Sequence, residues 1–172
     1  MARLEAEGHI LQGSTKSFAQ SGIAISVRAG AKWPDIGDDD SVRRTVRAAR
    51  TIGYSTGPSG DHLLQLFEQW GLLPTAAERL IQAPPGVPVG SLVARGEAEI
   101  GFQQLSELIR VPGIDVVGPL PPEIQCMTVF AAGVGSASPN VAATRDFIAY
   151  LTSSAADRVK REQGMEPVRL VA

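Results

Sequence analysis

Two kinds of apolar pattern alternate along this chain. Residues 18–28 (Phe-Ala-Gln-Ser-Gly-Ile-Ala-Ile-Ser-Val-Arg) and 125–134 (Gln-Cys-Met-Thr-Val-Phe-Ala-Ala-Gly-Val) are runs of Ile, Val and small residues, as expected of long strands flanked by helices. The stretch between them changes period repeatedly. Residues 41–50 have helical spacing, with Val42, Val46 and Ala49 on one face and Arg43, Arg44, Arg47 and Arg50 on the other, and the acidic run Asp38-Asp39-Asp40 supplies N-capping side chains. Residues 51–54 read as a short buried strand, 55–60 as a turn, and 61–70 as a helix with Leu63, Leu64, Phe67 and Trp70 on one side. A stiff turn at 83–91 (Ala-Pro-Pro-Gly-Val-Pro-Val-Gly-Ser) leads into another helix, and a second strand-turn-helix unit follows at 99–108, where a strand carries Gln103 and Gln104 to its C-terminal end. Residues 114–117 form a further strand candidate, Gly118-Pro-Leu-Pro-Pro122 a rigid extended crossing, and helices are expected at 139–151 and 154–163.

The turn Ser55-Thr-Gly-Pro-Ser-Gly60 bears most directly on function. Its glycines let the backbone approach a ligand, and the helix behind it offers unpaired N–H groups where the macrodipole favours an anion. The structural alternative is that Ser59 or Asp61 simply caps that helix. Open α/β sheets bind ligands beyond the C-terminal ends of their strands, so the loops near 57–60, 86–90 and 103–106 are expected to converge on one site.

Composition removes several function classes. The 172 residues hold 16 basic and 18 acidic side chains mixed along the chain, so there is no basic face for nucleic acid. Cys126 is the only cysteine, which excludes an intrachain disulfide and a thiolate metal site; no metal or cofactor is expected. No apolar run approaches the roughly 20 residues that span a bilayer. The first residues, Met1-Ala-Arg-Leu-Glu-Ala-Glu, read as a short charged helix and lack the apolar core of an export signal.

Four phrases, in order along most of the chain, carry a family resemblance: Gly22-Ile-Ala-Ile-Ser-Val-Arg-Ala-Gly30 with Pro34-Asp35-Ile36; Ile52-Gly-Tyr-Ser55 with Gly57-Pro-Ser-Gly60; Leu92-Val-Ala-Arg-Gly-Glu-Ala-Glu-Ile-Gly101; and Ala149-Tyr-Leu-Thr-Ser153 with Gly164-Met-Glu-Pro167. Together they resemble the molybdate-binding branch of the type II periplasmic solute-binding proteins. The resemblance implies an α/β fold of two lobes joined by two crossing strands, with lobe one made of residues 1–29 and 124–172 and lobe two of residues 30–123. Members of this branch begin with a βαβ segment that has no counterpart here, so the first lobe is expected to be incomplete and its uncovered surface to favour a homodimer. By the same resemblance the ligand contacts are Gly57, Pro58, Ser59, Gly60, Gly86, Val87, Gln103 and Gln104. Molybdate binders tend to have tyrosine where Gln104 stands, which leaves the ligand open between an oxyanion and a small organic anion.

The implied function is the substrate-binding component of an ABC-type transporter, periplasmic by resemblance and working with a membrane permease. The candidate loops contain Ser55, Thr56, Ser59, Gln103, Gln104 and Ser106 and no basic residue, which suits an anion held by dipoles. The alternative is an isomerase resembling the aconitate isomerases on the same scaffold, which needs a base; His62, Glu107 and His9 are the candidates, each with a plainer reading as a helix, capping or surface residue. A pure interaction domain is the third class. Cys126, among apolar neighbours, reads as a buried thiol, and Trp33 and Trp70 as packing residues of lobe two.

Overall fold

The computed structural model describes residues 1–168, and the chain forms two compact units: residues 1–21 together with the chain from 129 onward, and residues 22–128. In chain order the elements are α1 (Ala2–Ala6), β1 (Lys16–Arg28), α2 (Asp39–Ala48), β2 (Ile52–Tyr54), α3 (Pro58–Gln69), α4 (Leu73–Ala76), β3 (Leu80–Gln82) and α5 (Val89–Ala94). They continue with β4 (Ile100–Gln104), α6 (Leu105–Leu108), β5 (Ile114–Pro119), β6 (Met127–Ala132), α7 (Val141–Thr152), α8 (Asp157–Glu162) and β7 (Glu166–Pro167). The chain passes from one unit to the other twice, along β1 and along β6, and these two strands pair.

In the unit of residues 22–128 the strand order is β3-β2-β4-β1-β5, with β3, β2 and β4 mutually parallel and β1 antiparallel to both of its neighbours. Strand alternation sorts the two faces. Ile52 pairs with Ile100 and Tyr54 with Phe102 on one face, while Gly53 pairs with Gly101 on the other. The first face packs on α2 and α3 in a core that includes Val42, Val46, Leu63, Leu66 and Phe67. Phe67 meets Phe102 edge-on at 6.4 Å and Trp70 stacked at 5.8 Å, and the Arg43 guanidinium lies 5.6 Å over the Trp70 ring. Trp70 packs as expected, whereas Trp33, in the irregular segment before α2, is 54% exposed.

The second face receives α5, whose Val89, Leu92 and Val93 form a smaller core with Ala83 and Ala98. The glycine pair is what lets that helix sit down. A Cβ at Gly101 would lie 2.7 Å from a Val93 methyl and 2.9 Å from a Val89 methyl, and one at Gly53 would lie 3.0 Å from Val89 and Ala98.

α2 begins two residues before its apolar pattern does, because Asp38 and Ser41 form a reciprocal cap: Ser41 N–H donates to Asp38 Oδ1 at 2.7 Å and Asp38 N–H to Ser41 Oγ at 2.9 Å. The backbone hydrogen bond from Ser41 is the main cause that holds the Asp38 carboxyl below the usual carboxylate range. The other end of α2 is tied down by Arg79, whose Nη1 donates to the carbonyls of Val46 (3.1 Å) and Ala49.

The other unit is built on the first part of β1, where Ala19 pairs with Pro167 and Gln20 with Glu166, and Ser21 Oγ donates to the Gly164 carbonyl at 2.8 Å. Lys160 and Asp157, both buried, form an ion pair at 3.5 Å. A cavity of about 450 Å³ lies beside Ser14, Lys16, Arg145 and Ile148, and none of the residues expected to bind a ligand is in its wall.

The close seat of α5 makes Gly101 a sensitive position. Gly101→Ala is expected to lower stability by about 1–3 kcal/mol through overpacking, read as a lower urea midpoint with an unchanged slope. An unchanged midpoint would mean that α5 has slack against the sheet.

Candidate functional site

The three parallel strands β2, β3 and β4 end side by side at Tyr54, Gln82 and Gln104. The residues at and just past those ends line one cavity of about 430 Å³: Ser55, Thr56, Gly57 and Pro58; Ala83, Pro84, Gly86, Val87 and Pro88; Gln103, Gln104 and Glu107. The placement follows from the winding. α3 leaves β2 on one face of the sheet and α5 leads into β4 on the other, so the loops diverge and leave a crevice at the strand ends.

Each loop has a local reason for its shape. Pro84-Pro85-Gly86-Val87 is a type II turn, with Val87 N–H donating to the Pro84 carbonyl at 2.9 Å and Gly86 at φ +79° in the position that favours glycine. At the other loop α3 starts at Pro58 with Gly57 as N-cap, and its first turn descends onto the end of β2. A Cβ at Gly60 would lie 1.9 Å from the Ser55 carbonyl oxygen, so only glycine permits that approach.

The last two residues of β4 point to opposite faces and hold one helix start each. Gln103 Oε1 accepts from the Val89 N–H, the first of α5, at 2.8 Å, and its Nε2 donates to the Glu107 carboxylate. Gln104 Oε1 accepts from Ser59 Oγ at 2.9 Å, and its Nε2 donates to Thr128 Oγ1 at 3.1 Å. Ser59 Oγ lies 2.9 Å from Ser55 Oγ, which accepts from the Gly57 N–H at 3.3 Å. Ser55, Ser59, Gln103 and Gln104 are all buried, so each of these bonds replaces water that the side chain gave up on folding.

Of the residues singled out in the sequence, Gly57, Pro58, Gly86, Val87, Gln103 and Gln104 line the cavity. Ser59 and Gly60 do not: Ser59 turns its hydroxyl to Gln104 instead of capping its helix, and Gly60 is buried against Ser55. His62 is also elsewhere, donating from Nε2 to the Ile124 carbonyl at 2.9 Å. Glu107 is exposed, as a surface carboxylate should be, and it also borders the cavity; its place four residues after Gln103, across a strand-to-helix turn, was the available signal. Thr128 is a partner that no local pattern indicated.

The wall contains no Lys, Arg or His, and Glu107 is its one ionisable side chain. Among the described residues, the N–H groups of Thr56 and Gly86 have no protein acceptor, and each glutamine amide keeps a second proton beyond the bonds above. The cavity therefore offers neutral donors at the start of a twelve-residue helix, an arrangement suited to an anion. Among the described residues no cluster could hold a metal ion, and no helix is long and apolar enough to cross a membrane.

Comparison with known proteins identifies the family and the fold. A curated relative, an aconitate isomerase from a Pseudomonas species, is 39% identical over 166 residues, which is 96% of this chain and 63% of that protein's length. The periplasmic molybdate-binding protein of Azotobacter vinelandii superposes with a TM-score of 0.76 at 22% identity, over 98% of this chain and 74% of that one. A tungstate-binding protein from Desulfovibrio alaskensis superposes with a TM-score of 0.58 at 13% identity, over 98% and 74%. The family model described as bacterial extracellular solute-binding protein matches residues 1–166. The chain belongs to the bacterial extracellular solute-binding proteins, and its fold is that of the type II, molybdate-binding branch of the periplasmic binding proteins.

Proposed function

We propose that the cavity at the ends of β2, β3 and β4 binds a small anion, and that the chain serves in the periplasm as the ligand-binding component of an ABC-type transporter, delivering that anion to a membrane permease. The observation that carries this reading is the lining itself: open N–H groups, two oriented amides and the start of α3 converge where no basic side chain is present. Fixed dipoles hold an anion without the reorganisation that long cationic side chains require, and a site without a countercharge releases its ligand readily. Family membership and the molybdate- and tungstate-binding neighbours support the same class of ligand.

A second reading has specific support. The 39%-identical relative is an aconitate isomerase, and Glu107 is a carboxylate in the cavity wall, where a base that moves a proton next to a substrate carboxylate would stand. In this reading the neutral donors hold the tricarboxylate and Glu107 takes a proton from one carbon and returns it to another, with no cofactor.

A thermal-shift panel of molybdate, tungstate, sulfate, citrate and aconitate separates ligand from non-ligand. An anion at a hundredfold excess over its Kd stabilises the folded chain by about 2.7 kcal/mol and raises the melting point accordingly; no shift with any member would remove the anion-binding reading. Gln104→Leu leaves Ser59 and Thr128 without their buried partner, so it is expected to lower stability by about 1–3 kcal/mol and to weaken binding of whichever anion gives the shift; full affinity in calorimetry would show that the Gln104 network does not organise the cavity. For the enzymatic reading, trans-aconitate incubated with the chain should convert to the cis isomer by proton NMR, and Glu107→Ala should stop it. Unchanged substrate with the unmodified chain would dispose of that reading.

A further inference from the structure

We propose that the ligand of this cavity is a small carboxylate that also carries a hydroxyl group, and that Glu107 determines specificity by accepting the hydroxyl proton. The inference rests on the anion-binding reading above and concerns which anion is held. It comes from following the direction of each hydrogen bond in the wall. Gln103 cannot turn its amide over, because its Oε1 receives the main-chain N–H of Val89 at 2.8 Å and its Nε2 gives to the Glu107 carboxylate. Glu107 thus faces Gln103 as an acceptor, and one amide hydrogen bond leaves most of its lone pairs open.

Ser55 is a second acceptor in the same wall. Ser59 Oγ donates to the Gln104 carbonyl oxygen at 2.9 Å, so in the 2.9 Å contact between the two serines the proton comes from Ser55. With its proton committed and the Gly57 N–H directed at it, Ser55 Oγ presents a ligand with a lone pair only. The cavity is therefore of mixed polarity. Thr56 and Gly86 N–H and the remaining amide protons donate, whereas Glu107 and Ser55 accept.

A fully ionised tetrahedral oxyanion has acceptors only. It satisfies the donors but meets a negative carboxylate and a hydroxyl lone pair on the remaining wall, with no proton to give either. A hydroxy acid satisfies both sets: its carboxylate takes the N–H groups and its hydroxyl gives a charge-assisted hydrogen bond to Glu107. A cavity of about 430 Å³ also has room for a ligand of several carbons.

Two ligand pairs differing by one hydroxyl test this on the full chain: citrate against tricarballylate, and malate against succinate, each titrated calorimetrically, with molybdate as the acceptor-only probe. The hydroxylated member is expected to bind at least about tenfold more tightly, the size of one hydrogen bond to a charged group. Glu107→Ala should bring each pair within about threefold and tighten molybdate, and Glu107→Gln, a neutral acceptor of the same size, should fall between. Equal affinities within each pair for the unmodified chain, which need no variant to measure, would overturn the proposal while leaving anion binding intact, as would a preference that survives in Glu107→Ala. Binding of molybdate alone among these probes would overturn it too. If none of the five anions binds, the anion-binding reading falls and this proposal with it.

Discussion

Two consecutive buried glutamines at the end of β4 hold the architecture of the site together. Because adjacent residues of a strand face opposite ways, Gln103 reaches the α5 side of the sheet and Gln104 the α3 side. Each then ties the start of one helix to the same strand terminus. A buried amide without partners is strongly unfavourable, so these side chains are stable here only with both helices in place, and the helix starts are positioned by the same bonds. The amide protons left over, together with two open main-chain N–H groups, are what the cavity offers a ligand. In the proposed function, structure and recognition thus use different atoms of the same two residues.

That arrangement depends on close approach of backbone to backbone. Gly53 and Gly101 form a flat patch on the sheet where α5 rests, and any side chain there would lift Val89 away from Gln103. Gly60 does the equivalent at α3, bringing Ser59 within reach of both Ser55 and Gln104. On the α3 face the opposite strategy holds: Phe67, Phe102 and Trp70 fill the space between helix and sheet. The cavity is therefore bounded by two helices seated by different means, one by glycine contacts and one by aromatic packing.

Hydrogen bonding also gives the cavity a polarity that a residue inventory lacks. Serine, threonine and glutamine each donate and accept, so their presence alone fits an oxyanion as well as a hydroxylated carboxylate. Direction enters only when partners are assigned, and it is Val89 N–H and the Gln104 carbonyl that orient the Gln103 amide and the serine protons.

Most of the chain's order of strands and helices, the capping of α2 by the acidic run, the inward face of α2 and the turn at Gly86 were legible in the sequence, because each is set by neighbours within a few residues; on α3, Leu63 and Phe67 face inward as expected, but Leu66 and not Leu64 joins them in the core. So was the set of loops around the cavity, since strand ends in an open sheet have a known polarity. The brief strand β3, three residues following a helical piece, carried too few residues for a period to show. What each polar side chain does was decided by tertiary structure. Ser59 bonds across 45 positions to Gln104 instead of capping its own helix, Glu107 joins the cavity wall through Gln103, and Trp33 stays in water while Trp70 is packed. Local sequence determines which conformations are available to a segment, but a hydroxyl or carboxylate takes the best partner that the assembled chain brings within about 3 Å, and for Ser59 one such partner, Gln104, is remote in sequence.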